Sequence, residues 1–334
     1  LVETRDANFG GFFLLCVGSR GRCVPVVTYA KPALTVADQV ALLQSRGVQG
    51  DPAEMAKHLA DVSYYRLSGY TFPYRQPGPL NAFRPGTTFD QIWEHYVFDR
   101  QLRLLVLDAI ERVEVSLRTR VSYEYGHAYG PFGLWTNPQA VQVLRPRGKI
   151  ATRQDVLQEL RREVERSGDE TFLAHFARKY GDFHLDPPVW ILTEVLSFGS
   201  VVRLADNAAP TLRKKIAAGY GTIPDDVLMS WMKTLNVVRN VCAHHSRLWN
   251  RVFTYTVKIP ARGKFPDWHR PQTPGNDRIF IVLTILRYLL TQVSPGSQWD
   301  ARLRKLLDEH PNVSRSSMGF TAGWETSPIW TKVK

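Results

Sequence analysis

From Thr88 onward the chain repeats apolar residues at helical spacing over its longest stretch: Phe89, Ile92, Trp93, Tyr96, Leu102, Leu105, Val106, Ile110, Val113 and Leu117, with no breaker before Gly126. A helix of that length carries an apolar stripe that other elements must cover along its side, and the rest of the chain offers helices for the task. Thr35 is placed to cap a helix bearing Val36, Val40 and Leu43 and ended by Gly47. Asp51-Pro52 opens a second helix through Met55 and Leu59 to Val62. Further helical patterns run from Arg153 to Arg166, Glu170 to Tyr180, Val189 to Leu196, Ser200 to Asp206 and Thr211 to Ala218. Another starts at Pro224-Asp225, and two last ones cover Asp277 to Gln292 and Gln298 to Glu309. Strand-like alternation is confined to Val252 to Ile259, so the predicted fold class is all-α.

Pro- and Gly-rich segments at Pro73 to Gly86 and Pro260 to Gly275 read as loops, and Gly126 to Pro146 as a connection with one short helix at most. They divide the chain into an irregular stretch over residues 1–30, broken by Gly10, Gly11, Gly18 and Gly21, a helical region over 31–86, a helical core over 87–259, and C-terminal helices over 260–334. Most of the nine tryptophans fall at apolar helical positions and read as core. Ile279 to Leu290 is apolar but short and interrupted by Arg287, which predicts a buried helix and no membrane association. Cys16, Cys23 and Cys242 form no Cys-x-x-Cys pair, as expected of a protein in a reducing cytoplasm.

The 43 Lys+Arg against 31 Asp+Glu leave a formal charge of +12, a field that attracts polyanions, nucleic acid first among them. The residues suited to act on such a partner lie together in Arg239-Asn240-Val241-Cys242-Ala243-His244-His245-Ser246-Arg247-Leu248-Trp249-Asn250. Arginine presents a fixed fork of donors to a phosphate oxygen, and histidine titrates nearest neutral pH. An Arg followed at short range by His is a weak signal by itself, since Arg120/His127, Arg178/His184, Arg262/His269 and Arg304/His310 also satisfy it.

Helical phase adds information at Arg239. Advancing about 100° per residue puts Trp231, Leu235, Val238, Val241, Cys242, Leu248 and Trp249 on one side, and Lys233, Asn236, Arg239, Asn240, His244 and Arg247 on the other. Arg239 and His244 then flank a groove roughly 140° apart, with Asn240 between them. His245 projects to the packed side, where it orients or supports. The alternative is a solvated helix face ending in a histidine. Cys242, His244 and His245 are too close in sequence to make a tetrahedral site alone, and no His-Glu-x-x-His, Walker loop or Gly-x-Ser-x-Gly elbow occurs, so neither metal nor cofactor is expected. Glu114 and Arg118, one turn apart on the long helix, read as a structural ion pair with a supporting role as the second option. Tyr65 and Arg66 read as the end of a helix closed by Gly69 or as an RNA contact.

Four blocks in order, Tyr65-Arg66-Leu67-Ser68-Gly69-Tyr70, Phe98-Asp99-Arg100-Gln101-Leu102-Arg103, Trp190 to Gly199, and Arg239 to Asn250, resemble the Abi-like family of bacterial abortive-infection proteins within the HEPN superfamily, over about Lys31 to Ile259. The resemblance implies a HEPN-type helical bundle with an additional N-terminal helical region, and a metal-independent endoribonuclease toxin of phage defence that acts across a homodimer. Arg239 would hold the scissile phosphate, Asn240 position its neighbours and His244 serve as acid or base. Lys233, Asn236, Arg247 and Arg66 would bind RNA, with His245, Glu114 and Arg118 in support. A small RNA or a protein antitoxin is a further candidate partner. The reading from a different class is a non-catalytic RNA-binding or regulatory helical protein that uses the same basic face.

Overall fold

The computed structural model of the chain describes residues 32–78, 82–143, 152–254 and 256–331. Among the described residues are fourteen α-helices and no strand, with two isolated bridges, Gln49 to Thr88 and Arg75 to Phe83. The all-α class is what the periodicity predicts. The chain falls into two compact units, one comprising the described residues up to Arg66 with Tyr74–Phe89, the other Leu67–Pro73 with everything from Asp90.

In the first unit, α1 (Val36–Ser45) begins at Thr35, whose hydroxyl accepts from the Asp38 amide while the Asp38 carboxylate accepts from the Thr35 amide. α2 (Pro52–Val62) begins at Asp51, which accepts from the Glu54 amide. Val40, Leu43, Met55 and Leu59 are the buried residues of these helices. α3 (Tyr64–Ser68) is a single turn that carries the chain out of this unit, and Ser63 before it has φ of 63°.

The second unit is organised on α4 (Phe89–Tyr129), 41 residues and so about 60 Å long. Phe98, Leu102, Val106, Ile110, Val113, Leu117, Val121 and Tyr125 are buried along it. The helix does not stop at Gly126: the missing side chain there faces Val189 and Trp190 at ordinary contact distance, and packing carries the helix to Tyr129. α5 (Gly133–Thr136), α6 (Arg153–Arg166), α7 (Thr171–Tyr180), α8 (Val189–Val195), α9 (Phe198–Asp206) and α10 (Pro210–Ala218) follow. α11 (Asp225–Ala243) packs on α9, α10 and α12 (Ile279–Val293). α4 is tied to these by Tyr125 donating to the Leu204 carbonyl and Tyr220 to the Ser116 hydroxyl.

α12 is buried on all sides from Ile279 through Arg287, and Arg287 faces Asp300 at 3.5 Å. No described helix is long and apolar enough to cross a membrane. α13 (Trp299–Glu309) returns along α4, where the Trp299 indole donates to the Leu105 carbonyl. α14 (Pro328–Thr331) is preceded by two short 3-10 turns. The alternating segment at 252–259 is no strand among its described residues. It lies instead as a strap whose Phe253 amide donates to Asp277 and whose Lys258 amide donates to Ser230. Trp190 departs from the expected core role and stands half exposed.

Candidate functional site

α11 opens with Asp225 and Asp226 in its first turn, where carboxylates suit the positive end of the helix. Its apolar side is buried as predicted: Trp231, Leu235, Val238, Val241 and Cys242 are all in the core. Burial pushes the Cys242 thiol up to about 12, so it stays protonated. It does not share a face with His244 and His245, which are exposed.

The polar side is not uniform. Lys233 pairs with Asp206 of α9 at 2.6 Å, and Asn236 sits against Gly199, where a Cβ would lie only 3.2 Å from its amide nitrogen. Lys233 and Asn236, predicted to bind substrate, are therefore engaged by α9. Arg247 is half-buried and donates to the Gly69 carbonyl, which assigns it a structural partner in place of the predicted surface position. Arg66 is exposed on α3, in the other compact unit. Arg239, Asn240, His244 and His245 are exposed at this end of α11, with Arg239 donating to the Asn240 side chain at 3.4 Å.

The helix ends at Ala243, earlier than a phase count carried to Trp249 assumes. His244 is its cap, and His245 turns into the left-handed region with φ of 54°. The Ser246 amide then donates to Val241 and the His245 amide to Cys242, the crossed pair of bonds that closes a helix through a left-handed residue. His245 accordingly projects from an exposed turn, not toward the packed side. Helical phase no longer applies once the backbone has reversed. Leu248 and Trp249 are buried, but by the return of the chain and not by the helix.

That return is anchored on Asp99, a fully buried carboxylate of α4. It accepts from the Trp249 amide at 2.5 Å, the Leu248 amide at 3.1 Å, the Tyr70 hydroxyl at 2.6 Å and the Arg103 guanidinium. Burial pushes its pKa up, and these donors oppose the rise. Because the two amides can only donate, the ionised form is the one the cradle fits. The Tyr70 hydroxyl, pushed well above its ordinary value first by burial and then by Asp99, stays protonated as the donor. Asn250 is held by Arg278 at 2.6 Å, and the Trp249 ring meets His95 edge-on at 4.6 Å between centroids.

Sequence reasoning missed Asp99, Tyr70 and Arg103 as members of this arrangement. A signal was present, since Asp99 and Arg103 form an i,i+4 pair at the buried phase of the long helix, between Phe98, Leu102 and Val106. The pair that was singled out, Glu114 and Arg118, is an ion pair as expected, and Arg118 also donates to the Thr193 and Leu196 carbonyls at the C-terminal end of α8. The neighbouring start of α9 is held by Glu163, which accepts from the Ser197 amide at 2.6 Å and from the Ser200 hydroxyl.

The blocks that carry the family resemblance are thus physically joined. Tyr70 and Gly69 of the first meet Asp99 of the second and Arg247 of the fourth, and Gly199 of the third packs on Asn236 of α11. A concavity of about 360 Å³ lined by Phe265, Trp268 and Tyr288 lies elsewhere and takes in none of these residues. No curated protein and no solved structure matches the chain. The family model described as Abi-like protein matches residues 57–250, starting later than the predicted Lys31 and ending at Asn250, where Arg278 fastens the site loop. It spans more than half of the chain and takes in every joined block, so this chain belongs to the Abi-like protein family.

Proposed function

We propose that the chain is a metal-independent endoribonuclease of the HEPN type, a toxin of phage abortive infection, working as a homodimer in the cytoplasm. The observation that carries this reading is the sorting of the polar residues of α11. Its basic and amide groups are engaged within the fold except at the C-terminal end, where Arg239, Asn240 and His244 stand exposed within six residues and Arg239 donates to the Asn240 side chain. The membership in the Abi-like family supports a role in abortive infection.

The chemistry asked of these groups is transfer of the 2′-OH proton to a base, attack of that oxygen on the adjacent phosphorus, and departure of the 5′-oxygen with a proton from an acid, leaving a 2′,3′-cyclic phosphate. Charge on the phosphorane oxygens requires a fixed cation, the part suited to Arg239. His244 supplies one proton-transfer group, and the same histidine of a second copy supplies the other. Each acid or base contributes about 10²- to 10⁴-fold. Asn240 holds Arg239 on one side and offers its amide to the substrate on the other.

The test is cleavage of RNA by the purified chain in the presence of a chelator, with product ends analysed for cyclic phosphate. His244→Ala and Arg239→Ala are expected to lower the rate by about 100-fold or more while remaining folded. RNA binding without products, unchanged by His244→Ala, would instead identify a non-catalytic RNA-binding protein.

A further inference from the structure

His244 stands where the backbone reverses, its own amide bonded to the Asn240 carbonyl and the next two amides turned back onto Cys242 and Val241. Before it the chain is fixed by α11. After the reversal, which the His245 and Ser246 amides close on Cys242 and Val241, the returning chain is received by Asp99, which accepts from the Leu248 amide at 3.1 and 3.3 Å and from the Trp249 amide at 2.5 Å. Arg247 on Gly69 and Asn250 on Arg278 reinforce the same exit. We propose that Asp99 is a positioning residue for His244, fastening the chain that leaves the histidine and so setting where His244 stands relative to Arg239. The inference rests on the ribonuclease reading above.

Two physical considerations favour this role over one of plain stability. A buried carboxylate paired with arginine contributes little net stability compared with apolar packing, and what it specifies well is a single arrangement of its donors. Here the donors come from Tyr70 ahead of α4, from Arg103 on α4 itself, and from the main chain that follows His244, so the arrangement specified is that of the site loop. Placement also matters steeply for proton transfer in a phosphate displacement, where a shift of about 1 Å lowers the rate about 100-fold. An amide in place of the carboxylate would turn a donor toward the Arg103 guanidinium, which only donates, force the Tyr70 hydroxyl to reverse its role, and leave Arg103 without its counter-charge.

The experiment uses the full chain with ¹³C-labelled histidine rings, the His244 signal being assigned by its disappearance in His244→Ala. Asp99→Asn and Tyr70→Phe are compared with wild type for three readouts: the His244 ring signal, amide exchange at Leu248 and Trp249, and kcat and KM separately for RNA cleavage. In folded Asp99→Asn the His244 signal moves, the two amides exchange at least about tenfold faster, and kcat falls about 100-fold with KM changed less than about threefold. Tyr70→Phe, which removes one donor and keeps the carboxylate, moves all three in the same direction by less, and carries the test alone if Asp99→Asn fails to fold. An unmoved His244 signal in the folded variants, or a loss confined to KM, overturns the proposal. If wild type cleaves no RNA, the ribonuclease reading fails by itself, and the His244 signal still decides whether Asp99 positions it.

Discussion

Arg247 donates its guanidinium to the main-chain carbonyl of Gly69, 178 positions earlier in the chain. It therefore faces into the fold, although it sits in the same short segment as Arg239. Replacing it with alanine is expected to cost about 1–3 kcal/mol of stability, the worth of a charged hydrogen bond in a half-buried setting, and to leave the salt dependence of RNA binding unchanged. Arg239→Ala is expected to do the opposite, with stability altered by less than about 0.5 kcal/mol and the salt slope reduced by about one. Denaturant midpoints and binding titrations against salt separate the two, and the reverse pattern would return Arg247 to the RNA face.

His245 occupies a left-handed position that glycine adopts without steric cost. His245→Gly removes a left-handed penalty of about 1–2 kcal/mol but also the interaction of the imidazole, and gives the unfolded chain extra freedom, so stability is expected to change by less than about 1 kcal/mol. A fall in thermal midpoint would mean that the imidazole makes contacts worth more than its backbone conformation costs.

Glu163 is buried and accepts both from the Ser197 amide and from the Ser200 hydroxyl at the start of α9. Glu163→Ala strands those donors and is expected to cost about 2–3 kcal/mol, with Glu163→Gln losing less because one acceptor is kept. α9 is the helix that engages Lys233 and Asn236, so chemical denaturation of the two variants alongside RNA binding reports whether loosening α9 frees those residues.

Much of this fold is legible in the sequence because its signals are local. The Thr35 and Asp51 caps, the apolar spacing along α4 and the start of α11 depend on residues within a turn or two of each other, and they lie where the spacing puts them. The end of α11 is different. His245 is not the glycine that usually marks a left-handed cap, so phase counting runs on through it and assigns Arg247 and His245 to the wrong surroundings. Gly126 misleads in the other direction, a breaker by propensity that packing against α8 retains in a helix. Asp99 escaped notice because what makes it matter, two amides from residues 149 and 150 positions away, leaves no trace in local pattern.

His95 gives the expected pH dependence of stability. Burial holds its pKa below the ordinary value of about 6.5, with His310 acting in the same direction and the Gln91 carbonyl and Glu94 opposing. Below pH 6.5 the unfolded chain takes up a proton that the folded chain refuses, so the contribution is complete above that pH and is lost as pH falls through the folded pKa. Thermal midpoints measured from pH 7.5 down to 5 should therefore decline more steeply for wild type than for His95→Gln. Parallel profiles would show that His95 is free to protonate in the native state.

The reversal at His245 also changes the electrostatic character of the helix end. A helix normally finishes in carbonyl oxygens that repel an anion, yet here the Asn240, Val241 and Cys242 carbonyls receive the His244, Ser246 and His245 amides in turn. A phosphate approaching Arg239 meets acceptors that are already occupied, so a helix terminus of unfavourable polarity can face a polyanion, with the attraction supplied by side chains alone.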